Sequence, residues 1–70
     1  MTTLFETNGI AAYYTQGATI YDLAGQAKFY IGANSDSTVF ACGDGKPAGW
    51  IAQGYFYKYD GSSPCYFGVD

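Results

Sequence analysis

Gly49-Trp50-Ile51-Ala52-Gln53-Gly54-Tyr55-Phe56-Tyr57-Lys58-Tyr59-Asp60-Gly61-Ser62 is the pattern that the rest of the chain repeats. It reads as a strand, a tight turn, an aromatic strand and then Asp60-Gly61, the dipeptide best suited to a two-residue hairpin turn. A type I′ turn needs positive φ at both central residues, which Gly reaches freely and Asp or Asn reach at modest cost. The same grammar recurs around Gly9, Gly25 and Gly45.

With Gly9, Gly25, Gly45 and Gly61 as anchors, successive spacings are sixteen, twenty and sixteen residues. Asn8, Ala24, Asp44 and Asp60 precede the anchors. Five residues before them stand Leu4, Ile20, Phe40 and Phe56, all large and apolar. Five residues after them stand Tyr14, Tyr30, Trp50 and Tyr66, all aromatic. One residue further on come Thr15, Ile31, Ile51 and Phe67. Columns this consistent mark an internal repeat. The units run over about 3–15, 19–31, 39–51 and 55–67, within a single domain of 1–70. The polar run Gly32-Ala33-Asn34-Ser35-Asp36-Ser37 supplies the longer middle spacing.

Each unit is two strands of about five residues around a turn. Segment 20–31 has some helix propensity in Asp22-Leu23-Ala24 and Gln26-Ala27-Lys28, but Gly25 in its middle and its match to the other units exclude a helix. The expected fold is therefore all-β: four β-hairpin repeats in a pseudo-fourfold arrangement, their equivalent aromatics in a ring. An open meander or solenoid is the competing arrangement. If the anchor pair forms the turn, the residue five before the glycine faces the one four after it. One face then carries Leu4, Ile20, Phe40 and Phe56 opposite Tyr13, Phe29, Gly49 and Cys65, with Ile31, Ile51 and Phe67 beyond; this is the expected core. The other face carries Tyr14, Tyr30, Trp50 and Tyr66, near Phe5, Tyr21 and Tyr57. A one-residue slip would exchange the faces.

Seventy residues bury only about 60% of their unfolded surface, so the core needs reinforcement from dense packing, a cross-link or self-association. Aromatics make up 20% of the chain and charged residues only 13%. Both figures point to a surface that finds a partner, most simply another copy. The net charge is −3, with Lys28, Lys46 and Lys58 the only basic residues. That excludes nucleic acid, whose binding rests on phosphate neutralisation, and a polybasic membrane site. No apolar run approaches the roughly 20 residues of a membrane-spanning helix. Met1-Thr2-Thr3-Leu4-Phe5-Glu6 carries no signal core, so a cytoplasmic location is expected, or an extracellular one if a leader has been removed.

Chemistry is sparse. The chain has no histidine, and no activating base is placed beside a Ser or Cys nucleophile. Glu6, Asp22, Asp36, Asp44, Asp60 and Asp70 are scattered, and Asp44 and Asp60 have a structural job in their turns. Asn34-Ser35-Asp36-Ser37 lacks the ligand series of a calcium loop. Gly43-Asp44-Gly45-Lys46 is followed by Pro47 where a phosphate loop needs Ser or Thr and a helix. Neither a catalytic residue nor a metal or other cofactor is expected. Cys42 and Cys65 read as two small buried apolar residues in a reducing cytosol, with a Cys42–Cys65 disulfide joining two repeats as the alternative.

Units of this form resemble the small bacterial 4-fold beta flower domain. The matching residues are Ile20-Tyr21-Asp22 with Gly25 and Tyr30-Ile31, then Phe40 with Asp44-Gly45-Lys46-Pro47 and Gly49-Trp50-Ile51, then Tyr57 with Asp60-Gly61. Ala24 departs from the pattern, as does Pro64-Cys65. The resemblance implies a fold and no activity. A weaker one, in Gly49-Trp50 with Tyr55-Phe56-Tyr57 and Asp60-Gly61, is to choline-binding cell-wall repeats, which cage a quaternary ammonium between aromatics.

The column Tyr14, Tyr30, Trp50 and Tyr66 thus has three readings: packing between hairpins, a surface for a sugar or quaternary amine, or a self-association interface. The expected function is a non-catalytic repeat domain acting through protein–protein contact or self-association, and the alternative is a carbohydrate- or choline-type binding module.

Overall fold

The computed structural model of the chain describes residues 2–32 and 37–68. Its eight strands are β1 (Thr2–Glu6), β2 (Ala11–Gln16), β3 (Thr19–Asp22), β4 (Ala27–Ile31), β5 (Thr38–Ala41), β6 (Pro47–Ala52), β7 (Tyr55–Lys58) and β8 (Cys65–Phe67). Each pairs antiparallel with its neighbours in chain order, and β8 closes back on β1 through Leu4↔Phe67, Phe5↔Tyr66 and Glu6↔Cys65. The fold is an all-β closed barrel rather than an open meander, and the consecutive hairpins β1–β2, β3–β4, β5–β6 and β7–β8 accommodate the pseudo-fourfold arrangement. Closure removes the free strand edges that a four-hairpin sheet would otherwise expose.

An eight-stranded barrel is just wide enough for side chains to fill. Leu4, Ile20, Val39, Phe56 and Cys65 are fully buried, and Tyr13, Phe29, Ile31, Ile51 and Phe67 pack against them. Rings meet edge-on inside, Phe29 with Phe56 at 5.3 Å and Tyr13 with Phe29 at 5.7 Å. Each large apolar side chain so buried stabilises by about 1.5–3 kcal/mol. The space is tight at Gly49, where a Cβ would collide with the Tyr57 carbonyl and meet the Phe56 ring at 3.0 Å. Buried Thr15, in the column of Ile31, Ile51 and Phe67, donates its hydroxyl to the Thr2 carbonyl at 3.4 Å.

The expected pairings Leu4↔Tyr13, Ile20↔Phe29 and Phe56↔Cys65 are present, but Gly49 pairs with Val39, not Phe40. Phe40 is not a core residue; Val39 takes that place and Phe40 points outward. The reason lies in the turns. The amide of the anchor glycine donates to the carbonyl three residues back in three hairpins, Gly9 to Glu6 (2.8 Å), Gly25 to Asp22 (3.0 Å) and Gly61 to Lys58 (3.4 Å). In the third hairpin Gly45 reaches back four residues, to Ala41 (2.9 Å). One extra residue in that turn shifts the strand before it by one and exchanges its faces.

These turns are not type I′. Positive φ falls on the four glycines and not on Asn8, Asp44 or Asp60 before them. In the first two hairpins this gives a type I turn followed by a glycine bulge, and the pairing slips between Leu4 and Phe5 and between Ile20 and Tyr21. The Asx side chains cap instead. The amide just past each glycine donates to a side-chain oxygen: Ile10 to Asn8 (2.9 Å), Lys46 to Asp44 (3.0 Å) and Ser62 to Asp60 (2.9 Å). In the second unit, where Ala24 has no acceptor, Gln26 donates to Asp22 at 2.9 Å instead. The type I′ pattern, positive φ at both central residues, occurs at Gln53-Gly54 between hairpins.

Candidate functional site

The outward column does not converge on one point. Each of its members stacks on a ring from the adjacent hairpin, directly across the strand pair that joins the two. Tyr14 lies on Tyr21 at 5.2 Å, Tyr30 on Phe40 at 5.4 Å, Trp50 on Tyr57 at 5.1 Å and Tyr66 on Phe5 at 5.5 Å, with interplanar angles of 13°, 16°, 19° and 27°. The pairs occupy the four junctions β2–β3, β4–β5, β6–β7 and β8–β1. Such a pair contributes about 0.5–1.5 kcal/mol beyond the area it buries. Tyr14 and Tyr30 also roof the next unit's turn, their hydroxyls 3.8 Å from where a Cβ would stand on Gly25 and Gly45. Packing between hairpins accounts for all four positions.

It does not account for Tyr55 and Tyr59. Tyr55 occupies the place that Thr3, Thr19 and Thr38 hold in the other units, each next to the inward residue Leu4, Ile20 or Val39. Its ring lies 5.9 Å from Tyr57 and 6.4 Å from Tyr66, joining two stacked pairs. Tyr59, at the fourth turn, tilts against Trp50 at 5.2 Å. The six rings Tyr59, Trp50, Tyr57, Tyr55, Tyr66 and Phe5 therefore run in one strip over β6, β7, β8 and β1. Trp50 is 38%, Tyr55 39% and Tyr59 59% exposed. Tyr55 and Tyr59 do not stand in the aromatic column. The signal that finds Tyr55 is its departure from the repeat, tyrosine where the sister units have threonine. Tyr59 stands two residues before its anchor glycine, where the other units have Thr7, Leu23 and Gly43, and no column singles it out.

Both thiols are free. Cys42 is exposed beside the third turn and Cys65 is buried in β8, so the expected burial holds for Cys65 and not for Cys42. Burial pushes the Cys65 thiol above its ordinary 9.0, and Glu6 adds to this while Lys58 opposes it. A thiol shifted that way is a poor nucleophile. Asp44 and Asp60 act in their turns, as expected from the sequence, but as side-chain caps rather than as central residues of type I′ turns. Asn34, Ser35 and Asp36, of the run set aside as a calcium loop, lie outside the described residues. No family model, curated protein or solved structure matches the chain.

Proposed function

We propose that the chain is a non-catalytic hairpin-repeat domain that works through protein–protein contact, with the six-ring strip as its contact face and a second copy of the chain as its simplest partner. The observation that carries this is Tyr55, which departs from the threonine column and joins two stacked pairs, with Tyr59 extending the row into a continuous surface. Tyr and Trp are the residues enriched where protein surfaces meet, each combining a large apolar body with a polar tip. A closed barrel offers no strand edge for backbone pairing, so contact must go through side chains. The pseudo-fourfold symmetry, and with it the likeness to the 4-fold beta flower domain, belongs to this reading and is supported by one stacked pair at each junction.

The test is mass in solution across a concentration series, for the native chain and for Tyr55→Thr/Tyr59→Thr, which restores residues that sister units carry. The native chain associates and the double variant, still folded, is a monomer. A native chain monomeric at millimolar concentration would sink the self-association reading.

The exposure of Trp50 favours a second reading, a carbohydrate stacked on the strip. Rings stacked at 5.1 Å leave no space between them for an ammonium group, so this geometry supports a sugar more than a quaternary amine. Binding on a glycan array that Trp50→Ala abolishes without unfolding the barrel would select it over the first.

A further inference from the structure

Lys58 ends β7, the strand whose alternation turns Tyr55 and Tyr57 outward and Phe56 inward. Lys58 follows Phe56 to the inner face. Its Nζ lies 5.2 Å from the Tyr13 ring centre and 5.9 Å from that of Phe56. The side chain is half-buried, and the ammonium has no ion-pair or hydrogen-bond partner among the described residues; the ion pair recorded there is Lys28 with Asp22 at 3.9 Å. Aromatic faces hold the cation in place electrostatically but satisfy none of its three N–H donors.

Lys58 lines a cavity of about 300 Å³ at the barrel's hairpin-turn end, together with Glu6, Asn8, Tyr13, Ser63 and Cys65 among others. Glu6 and Lys58 hold the same place in their units, the carbonyl position that receives the anchor glycine's amide. Their strands β1 and β7 flank β8, two strand spacings apart, or roughly 10 Å across the sheet. Opposite charges therefore line one small cavity without touching each other. A volume of this size sits at the lower end of small-ligand sites.

We propose that this cavity binds a small zwitterion of the free α-amino acid type, its carboxylate on the Lys58 ammonium and its ammonium on the Glu6 carboxylate. The Tyr13 ring forms a wall beside Lys58, and the Asn8 amide and Ser63 hydroxyl line the rest. This inference is independent of the strip, whose rings face outward, and Tyr55→Thr/Tyr59→Thr leaves the cavity intact.

The experiment is a titration followed by amide chemical shifts in the full chain, with glycine, acetate and methylammonium as probes. Glycine binds more tightly than either single-charge probe, with shifts centred on Glu6, Tyr13 and Lys58. Lys58→Met and Glu6→Gln each weaken glycine binding about tenfold, the loss expected for one charge-assisted contact, and Lys58→Arg retains most of it. Glu6 is exposed, so Glu6→Gln tests the idea even if Lys58→Met disturbs the barrel. Glycine binding no tighter than acetate, an unchanged affinity in Glu6→Gln, or no shifts at all would overturn the proposal.

Discussion

The two halves of the barrel wall are built from the same part and differ in what has been added to it. Across β2 to β5, the pairs Tyr14–Tyr21 and Tyr30–Phe40 stand apart, each sealing one junction. Across β6 to β1, Trp50–Tyr57 and Phe5–Tyr66 seal the equivalent junctions, but Tyr55 bridges them and Tyr59 extends the row. A stacked cross-strand pair is thus a device for joining hairpins, sufficient in itself on one side. The bridging rings join no strands that would otherwise be apart. They cost exposed aromatic surface, and a surface-lowering contact with a partner would offset that cost.

The largest effect should fall on both halves alike. Phe56 is fully buried and meets Phe29 across the interior, so Phe56→Ala should cost about 3–5 kcal/mol. In a domain of this size that is most of the available stability. Urea denaturation followed by circular dichroism should show a single transition lost or moved close to zero denaturant. If β2–β5 kept its structure while β6–β1 melted, the barrel would be two units and the comparison would have to be redrawn.

The halves should separate when the stacked pairs are cut. Tyr57 touches both Trp50 and Tyr55, whereas Tyr21 has a single ring contact, with Tyr14. Tyr57→Ala should therefore cost about 2 kcal/mol and Tyr21→Ala about 1 kcal/mol, one further ring contact making the difference. Equal losses in denaturant midpoint would mean that the bridge by Tyr55 is energetically idle.

How much of this could be read from the chain depends on what repeats. Leu4, Ile20 and Phe56 are legible as core because the hydrophobic columns and the hairpin register agree. Val39 is not, because counting back from Gly45 assumes a turn of constant length, and the longer third turn is a matter of backbone geometry. The same limit applies to Asn8, Asp44 and Asp60: a polar residue before glycine signals a turn, but a side-chain cap and a type I′ backbone use the same letters. The strip is hidden for the opposite reason. Tyr55 becomes visible when the threonine column is read for its exception. Its pairing with Tyr66 follows from the fourth hairpin's register, but the continuation of the strip to Phe5 depends on β8 closing on β1. Lys58 counts in the sequence as one of three basic residues, and its half-buried place beside the Tyr13 ring depends on the packing inside the barrel.

A smaller effect is expected at the joints between hairpins. Gly17 carries positive φ at the β2–β3 joint, but at β6–β7 non-glycine Gln53 is held at 55°. Asparagine tolerates that region better, and Asn-Gly is the preferred type I′ pair. Gln53→Asn should add about 0.5 kcal/mol, read as a rise in denaturant midpoint with unchanged slope. A loss would show that the Gln53 side chain has a role that its backbone does not reveal.

The smallest effect concerns the turn that carries Tyr59. Asp60 accepts hydrogen bonds from the Ser62 hydroxyl at 2.6 Å and the Ser62 amide at 2.9 Å. These bonds, the hydroxyl's first, hold its carboxyl below the ordinary 3.8, and Lys58 helps while partial desolvation opposes. A carboxyl lowered on folding favours the native state when ionised. Its contribution is complete above the unfolded value of 3.8 and is lost as the pH falls below this through the native value. Ser62→Ala removes the main cause, so its stability should depend less steeply on pH in that acid window than the native chain's. Trp50 is the single tryptophan and lies against Tyr59, so its emission reports on this turn. In acid, Trp50 emission should change before the far-ultraviolet signal of the barrel does, and Ser62→Ala should show that change already at neutral pH. Coincident transitions in both proteins would mean that the Asp60 cap does not hold Tyr59 in the strip, leaving Tyr55 alone to distinguish the two halves.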